Sequence, residues 1–295
     1  LGMVGASARA VSGYSFNGNH WITNHTWDHY CYAPELKRVL VVGSMSNWQW
    51  KFDPYSYIYN PVLGEWESRF RKTGGLEGAF PAGISVQPTL LGIFAYSSRG
   101  NWWQLDTKAM KWKKFAALGR QWPKNGCSDW YGMVYDPTAN RILATAMPYP
   151  KNAYNGKLIF ALDLKTKKVS RIRPENPEVL GEGFRYNREW RYIPDHKIML
   201  CGGTLARRNK GNKRHPWKYL SDMPAYDPVN NRWLILKFKG LPALSQHGSM
   251  HYDTKRKLLW NLDNRGNVKA LRLDFEKAIR PEKNRAFDGK RTKEI

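Results

Sequence analysis

Cysteine is scarce: only Cys31, Cys127 and Cys201 occur among 295 residues. An odd count this small makes no disulfide framework, so cohesion has to come from packing. Acidic residues are also in short supply, 24 Asp and Glu against 48 Lys and Arg. No run of about 18 apolar residues is present, which removes the transmembrane-helix class. The chain likewise lacks a Walker phosphate loop, a serine nucleophile elbow and a His-Glu-x-x-His zinc motif. Nothing in it therefore marks a P-loop nucleotide hydrolase, an α/β-hydrolase or a zinc metalloprotease.

What is abundant points elsewhere. There are 14 Trp, 16 Tyr and 11 Phe beside 25 Gly and 17 Pro. Aromatic residues interrupted by turn formers signal many short strands rather than helices. The net charge of +24 implies an anionic partner, because a field of that sign concentrates anions at the surface. Nucleic acid, an anionic polysaccharide and an acidic membrane surface all satisfy the charge; a solvated basic surface would satisfy it too.

Repeats decide the fold class. A large apolar residue, an acid or amide directly after it, and a second apolar residue seven positions on recur four times. The copies are Tyr59-Asn60 to Trp66, Leu105-Asp106 to Trp112, Leu162-Asp163 to Val169, and Tyr226-Asp227 to Trp233. Each reads as strand, tight turn and returning strand. A second pattern interleaves with it: Tyr32, Tyr135, Tyr192 and Tyr252 each precede a short turn and an apolar strand, with a degenerate copy at Val86-Gln87-Pro88 before Leu90-Leu91. Anchors at 32, 86, 135, 192 and 252 are separated by 54, 49, 57 and 60 residues, the length of a four-stranded propeller blade with some long loops.

The Gly202-Gly203 pair after an apolar strand, followed by Tyr226 and Trp233, resembles a kelch repeat over roughly residues 24 to 275. That resemblance implies an all-β, kelch-like β-propeller of four-stranded blades. Five repeats are recognisable, either a complete five-bladed ring or part of a six- or seven-bladed one. Residues 24–280 are then the propeller domain and 281–295 a basic disordered tail. Residues 1–23 form an N-terminal segment in which Ala8-Arg9-Ala10 is similar to the cleavage end of a secretory signal, an expectation of a secreted or periplasmic protein. Residues 11–23 are also the candidate for a ring-closing strand.

Within a blade the first-to-second and third-to-fourth strand turns are short, whereas the other connections are long. Long loops on a rigid scaffold are the usual place for binding. These hold Trp48 and Trp50 in the first blade, and Arg207, Arg208, Arg214 and Trp217 in the fourth. Aromatic faces stack on sugar rings or bases, and Arg pairs with carboxylate, sulfate or phosphate. The starts of the first strands reach the same face. They carry His25, Trp27, Asp28 and His29 in the first blade, Asp129, Trp130 and Tyr131 in the third, Arg185 and Arg188 in the fourth, and His247 in the fifth.

Such a set can perform β-elimination beside a uronate carboxylate. A cation neutralises the carboxylate, a base removes the adjacent proton, and an acid protonates the leaving oxygen. Arg185 or Arg188 suits the first role; Tyr131, His25 and His247 suit the others. In residue type the set is similar to the His, Tyr and Arg of the β-propeller polysaccharide lyases that act on ulvan and on oligogalacturonate. The competing class is a non-catalytic kelch-like module that binds glycan or protein with the same residues. Nucleic-acid binding ranks behind both, since charge alone favours it. His25, His29 and Cys31 lie two or four positions apart and offer ligands to a structural metal ion, short of the four of a structural zinc site; no other cofactor is indicated.

Overall fold

The computed structural model describes residues 14–15, 20–21, 30–42, 45–46, 51–52, 55–71, 76, 85–97, 101–117, 133–145, 159–177, 190–201, 206–208, 217–219, 222–238, 249–262 and 267–279. The protein is all-β, of the β-propeller class with five blades. Strands that follow one another in the chain are neighbours in each sheet. The first sheet runs Tyr30–Ala33, Arg38–Val42, Tyr55–Asn60, Glu65–Arg71, and the second Ser85–Thr89, Gly92–Ser97, Asn101–Asp106, Lys111–Ala117. The third is Met133–Asp136, Arg141–Thr145, Ile159–Asp163, Val169–Ile172, and the fourth Trp190–Ile193, Ile198–Cys201, Asp222–Asp227, Arg232–Lys237. The fifth has three described strands, Ser249–Asp253, Leu258–Leu262 and Val268–Leu271, and leads into a short helix, Phe275–Ile279.

The recurring acid or amide is explained by the turn it holds. Asn60, Asp106, Asp163 and Asp227 each end a third strand, and each accepts through Oδ1 the backbone N–H groups two and three residues on. A side chain that satisfies two turn amides at once closes the turn without help from the rest of the fold. The last residue of each of these turns is left-handed: Gly64, Met110, Lys167 and Asn231 have φ of 73°, 48°, 58° and 50°. The apolar residues on either side then meet across the ladder, Tyr59 with Trp66, Leu105 with Trp112 and Tyr226 with Trp233. The spacing of seven is therefore the register of one hairpin. The three tryptophans occupy one equivalent position on the fourth strands.

The anchor tyrosines are equivalent as well. Tyr32, Tyr192 and Tyr252 pair with Val39, Met199 and Leu259, each the second residue of its partner strand. The second blade departs from the expectation. Its equivalent residue is Pro88, which pairs with Ile93, so the degenerate anchor stands two positions later than Val86. Leu90-Leu91 are not strand residues but the turn itself, at 79% and 47% exposure. The cause is a hairpin shorter by two residues, which Gly92 permits with a φ of 110°.

The chain divides into two compact units. In the one that holds the first two sheets, Leu40, Val42, Ile58, Ile93, Trp103 and Trp112 form the core. Trp112 Nε1 donates to Ser56 Oγ at 3.0 Å, and both residues are buried. The other unit has two cores. Trp233 and Ile235 join Leu143, Ile159 and Trp190 in one, whereas Leu234 and Leu236 join Leu200, Met250 and Phe275 in the next. Successive side chains of a strand point to opposite faces, so a blade packed on both sides needs apolar residues at every position. Residues 233–236 read as a continuous apolar run for that reason.

In the segment proposed to close the ring, Tyr14–Ser15 pairs with His20–Trp21 in a ribbon of two short strands. Residues 1–10 and 280–295, with the secretory-signal triplet and the basic tail, lie outside the described residues.

Candidate functional site

Two of the long connections between second and third strands contain secondary structure of their own. In the first blade Met45–Ser46 pairs with Lys51–Phe52. The fourth blade's connection carries a longer ribbon, Ala206–Arg208 against Trp217–Tyr219. These segments were expected as loops. Tyr55 and Tyr57 belong to the third strand of the first blade, where Tyr57 is buried edge-on to Trp66 and Arg69 lies 4.4 Å over the Tyr55 ring.

The fourth-blade ribbon sets Ala206 opposite Tyr219, Arg207 opposite Lys218 and Arg208 opposite Trp217. Directly opposed residues of an antiparallel pair have Cβ atoms roughly 4.5–5.5 Å apart. Like charges set directly opposite each other in such a pair are unfavourable. The stretch 207–218 holds six Lys and Arg and no Asp or Glu, so the sequence supplies no internal counter-charge there. In the next pair of the register an arginine, Arg208, stands opposite an aromatic residue, Trp217.

Of the residues singled out by sequence, Arg207, Arg208 and Trp217 are thus brought together by backbone pairing. His25, Trp27, Asp28, His29, Trp48, Trp50, Asp129, Trp130, Tyr131, Arg185, Arg188, Arg214 and His247 lie outside the described residues. Cys31 is buried in the core of the first two sheets. Among the described residues no group of three or more His, Cys, Asp and Glu is placed to hold a metal ion. Also among them, no helix is long and apolar enough to cross a membrane.

One polar cluster went unread in the sequence. Tyr252 Oη donates to Asp195 Oδ2 at 2.9 Å, and Lys257 Nζ donates to Asp195 Oδ1 at 2.6 Å. The bond from Lys257, and then that from Tyr252, holds the Asp195 carboxyl below its ordinary range. Burial, followed by the bond to Asp195, pushes Tyr252 up to about 12. A phenol so placed stays protonated at neutral pH and serves as a donor, not as a base. Nearby, Arg191 Nε donates to the Met250 carbonyl at 2.6 Å. Both contacts join the fourth and fifth sheets, so these groups act in cohesion between blades.

No family model matches the chain. No curated protein matches it. Among solved structures it is similar to a hydrazine synthase chain of Kuenenia stuttgartiensis, at 12% identity and a TM-score of 0.50, over 88% of this chain and 69% of that one. At that identity the likeness speaks to the fold alone, and the class it supports is the β-propeller.

Proposed function

We propose that this propeller binds an anionic polysaccharide, uronate-bearing or sulfated, outside the cytoplasm and cleaves it by β-elimination. The observation that carries the reading is the register of the fourth-blade ribbon, which sets Arg207 opposite Lys218 and Arg208 opposite Trp217. Opposed like charges are relieved by an anion, and the next pair of the register sets an arginine opposite a tryptophan. On this reading the blades are kelch-like. Arg185 neutralises the uronate carboxylate at the rim of the first strands, while Tyr131, His25 and His247 exchange the protons.

The test uses polyuronates, sulfated glycans and neutral dextran with the full chain. Binding is followed by calorimetry across a salt series, and cleavage by the ultraviolet absorbance of the unsaturated uronate. Charged polymers are expected to bind and dextran is not. Because each lost ionic contact removes roughly 0.7 from the slope of log affinity against log salt, Arg207→Ala with Lys218→Ala should flatten it by about 1.4. An unchanged slope refutes the ribbon's role. Binding of polyuronates without new absorbance removes the elimination step and leaves a non-catalytic binding module.

A further inference from the structure

A second cationic surface lies on the fourth strand of the second blade, in a different part of the chain from the ribbon. Lys108, Lys111, Lys113 and Lys114 follow Asp106, and Lys165, Lys167 and Lys168 follow Asp163; all seven lysines are exposed. The two segments meet at Phe115, where Lys167 Nζ lies 4.7 Å from the ring centroid. Their turn is positioned in addition by the bond from Leu164 N to the Asn140 carbonyl.

The two acids do little to offset this charge. Asp106 and Asp163 are engaged by their own turn amides, and Asp106 also takes Lys113 at 2.7 Å. Among the described residues no carboxylate lies within ion-pair distance of Lys108, Lys111, Lys114, Lys165 or Lys168.

We propose that this lysine surface binds a sulfated glycan chain. An ammonium is a compact point charge, suited to sulfate oxygens presented along a flexible polymer. Arginine, whose planar fork reads base edges, is missing from both segments. Nor, among the described residues of these two segments, is there an aromatic platform on which bases could stack. Trp112 is 1% exposed, and Phe115 is engaged by Lys167 and by the edge contact with Phe94 at 4.8 Å. Charge without stacking or planar recognition favours a sulfated polysaccharide over nucleic acid. The proposal stands independently of the fourth-blade ribbon.

The experiment measures binding of dextran sulfate, neutral dextran and single-stranded polyuridylate to the full chain over a salt series. The variant replaces Lys108, Lys111, Lys165 and Lys168 with Gln, leaving the Lys113 ion pair and the Lys167–Phe115 contact intact. Loss of four contacts should reduce the salt slope for dextran sulfate by roughly three and weaken low-salt binding at least tenfold. If thermal melting shows that this variant does not fold, Lys108→Gln with Lys111→Gln, and Lys165→Gln with Lys168→Gln, are measured as separate pairs, each expected to reduce the slope by about 1.4. An unchanged slope in the folded variants overturns the proposal, as does tighter binding of polyuridylate through the same lysines. If the Arg207→Ala, Lys218→Ala variant alone abolishes dextran sulfate binding, the lysine surface is refuted and the ribbon stands.

Discussion

The bond between Trp112 and Ser56 offers a direct measure of how the first two blades hold together. Trp112 Nε1 reaches Ser56 Oγ at 3.0 Å, and the two residues are 1% and 0% exposed. Ser56→Ala leaves the indole N–H buried without this acceptor, a loss of about 1–3 kcal/mol. Trp112→Phe removes the donor and shrinks the ring, adding a cavity term, so about 2–4 kcal/mol is expected. In the double variant the polar mismatch disappears from both sides. The two effects should therefore fall short of additivity by about 1–2 kcal/mol. Urea unfolding followed by tryptophan fluorescence and by circular dichroism gives the four stabilities, provided the two probes coincide and the slopes agree. Additivity within about 0.3 kcal/mol would refute the reasoning, because it would mean that the bond carries no coupling between these strands.

Other outcomes follow from the turns. Asp227→Ala should cost about 2–3 kcal/mol in urea unfolding through loss of its two turn bonds and of the Oδ2 contacts with Asn230 and Arg232, and Asp227→Asn, which keeps the turn acceptor and loses the ion pair, clearly less; equal effects would remove the turn-holding role. Gly92→Ala should destabilise by about 1–3 kcal/mol, since its φ of 110° is strained for any residue with a Cβ; a neutral result in the same assay would contradict that. The Asp106 carboxyl is held at about 2, first by Lys113 and then by the Ala109 amide. Its folded value lies below the unfolded one of roughly 3.9, so its contribution is complete above about pH 4 and is lost as pH falls through about 2. A carbon-detected titration of Asp106 should show that low midpoint and an upward move in Lys113→Gln; an ordinary midpoint refutes the pairing.

Much of the fold could be read because its determinants are local. Asn60, Asp106, Asp163 and Asp227 close their own turns, and the apolar residues seven apart are direct partners in a hairpin. Spacing along the chain thus records register. The second blade resisted the same reading because Leu90 and Leu91 are apolar yet occupy a turn, and composition cannot distinguish an exposed turn leucine from a strand leucine. The ribbon at 206–219 was missed because strands of three residues are too short to show alternation. The clasp of Tyr252, Asp195 and Lys257 joins separate turns, and a pairing across blades leaves no local spacing to count. Arg207, Arg208 and Trp217 were selected for their chemistry, and backbone pairing sets them together.

The outer edge of the fourth blade is guarded differently from its counterparts. In the first two blades the fourth strand carries charged residues at many positions, as in Glu65–Arg71 and Lys111–Ala117, and charge discourages pairing with another chain. Arg232–Lys237 has buried apolar residues at four successive positions. There Glu175 forms a parallel bridge, its N–H bonded to the Asn231 carbonyl at 2.8 Å and its carbonyl accepting from Trp233 N at 3.1 Å. The Asn231 side-chain amide also donates to the Arg173 carbonyl. A ribosome makes residues 173–175 well before it makes 232–237. When that strand emerges, the segment that covers its first residues is already made, so the start of this apolar edge has a partner within the same chain.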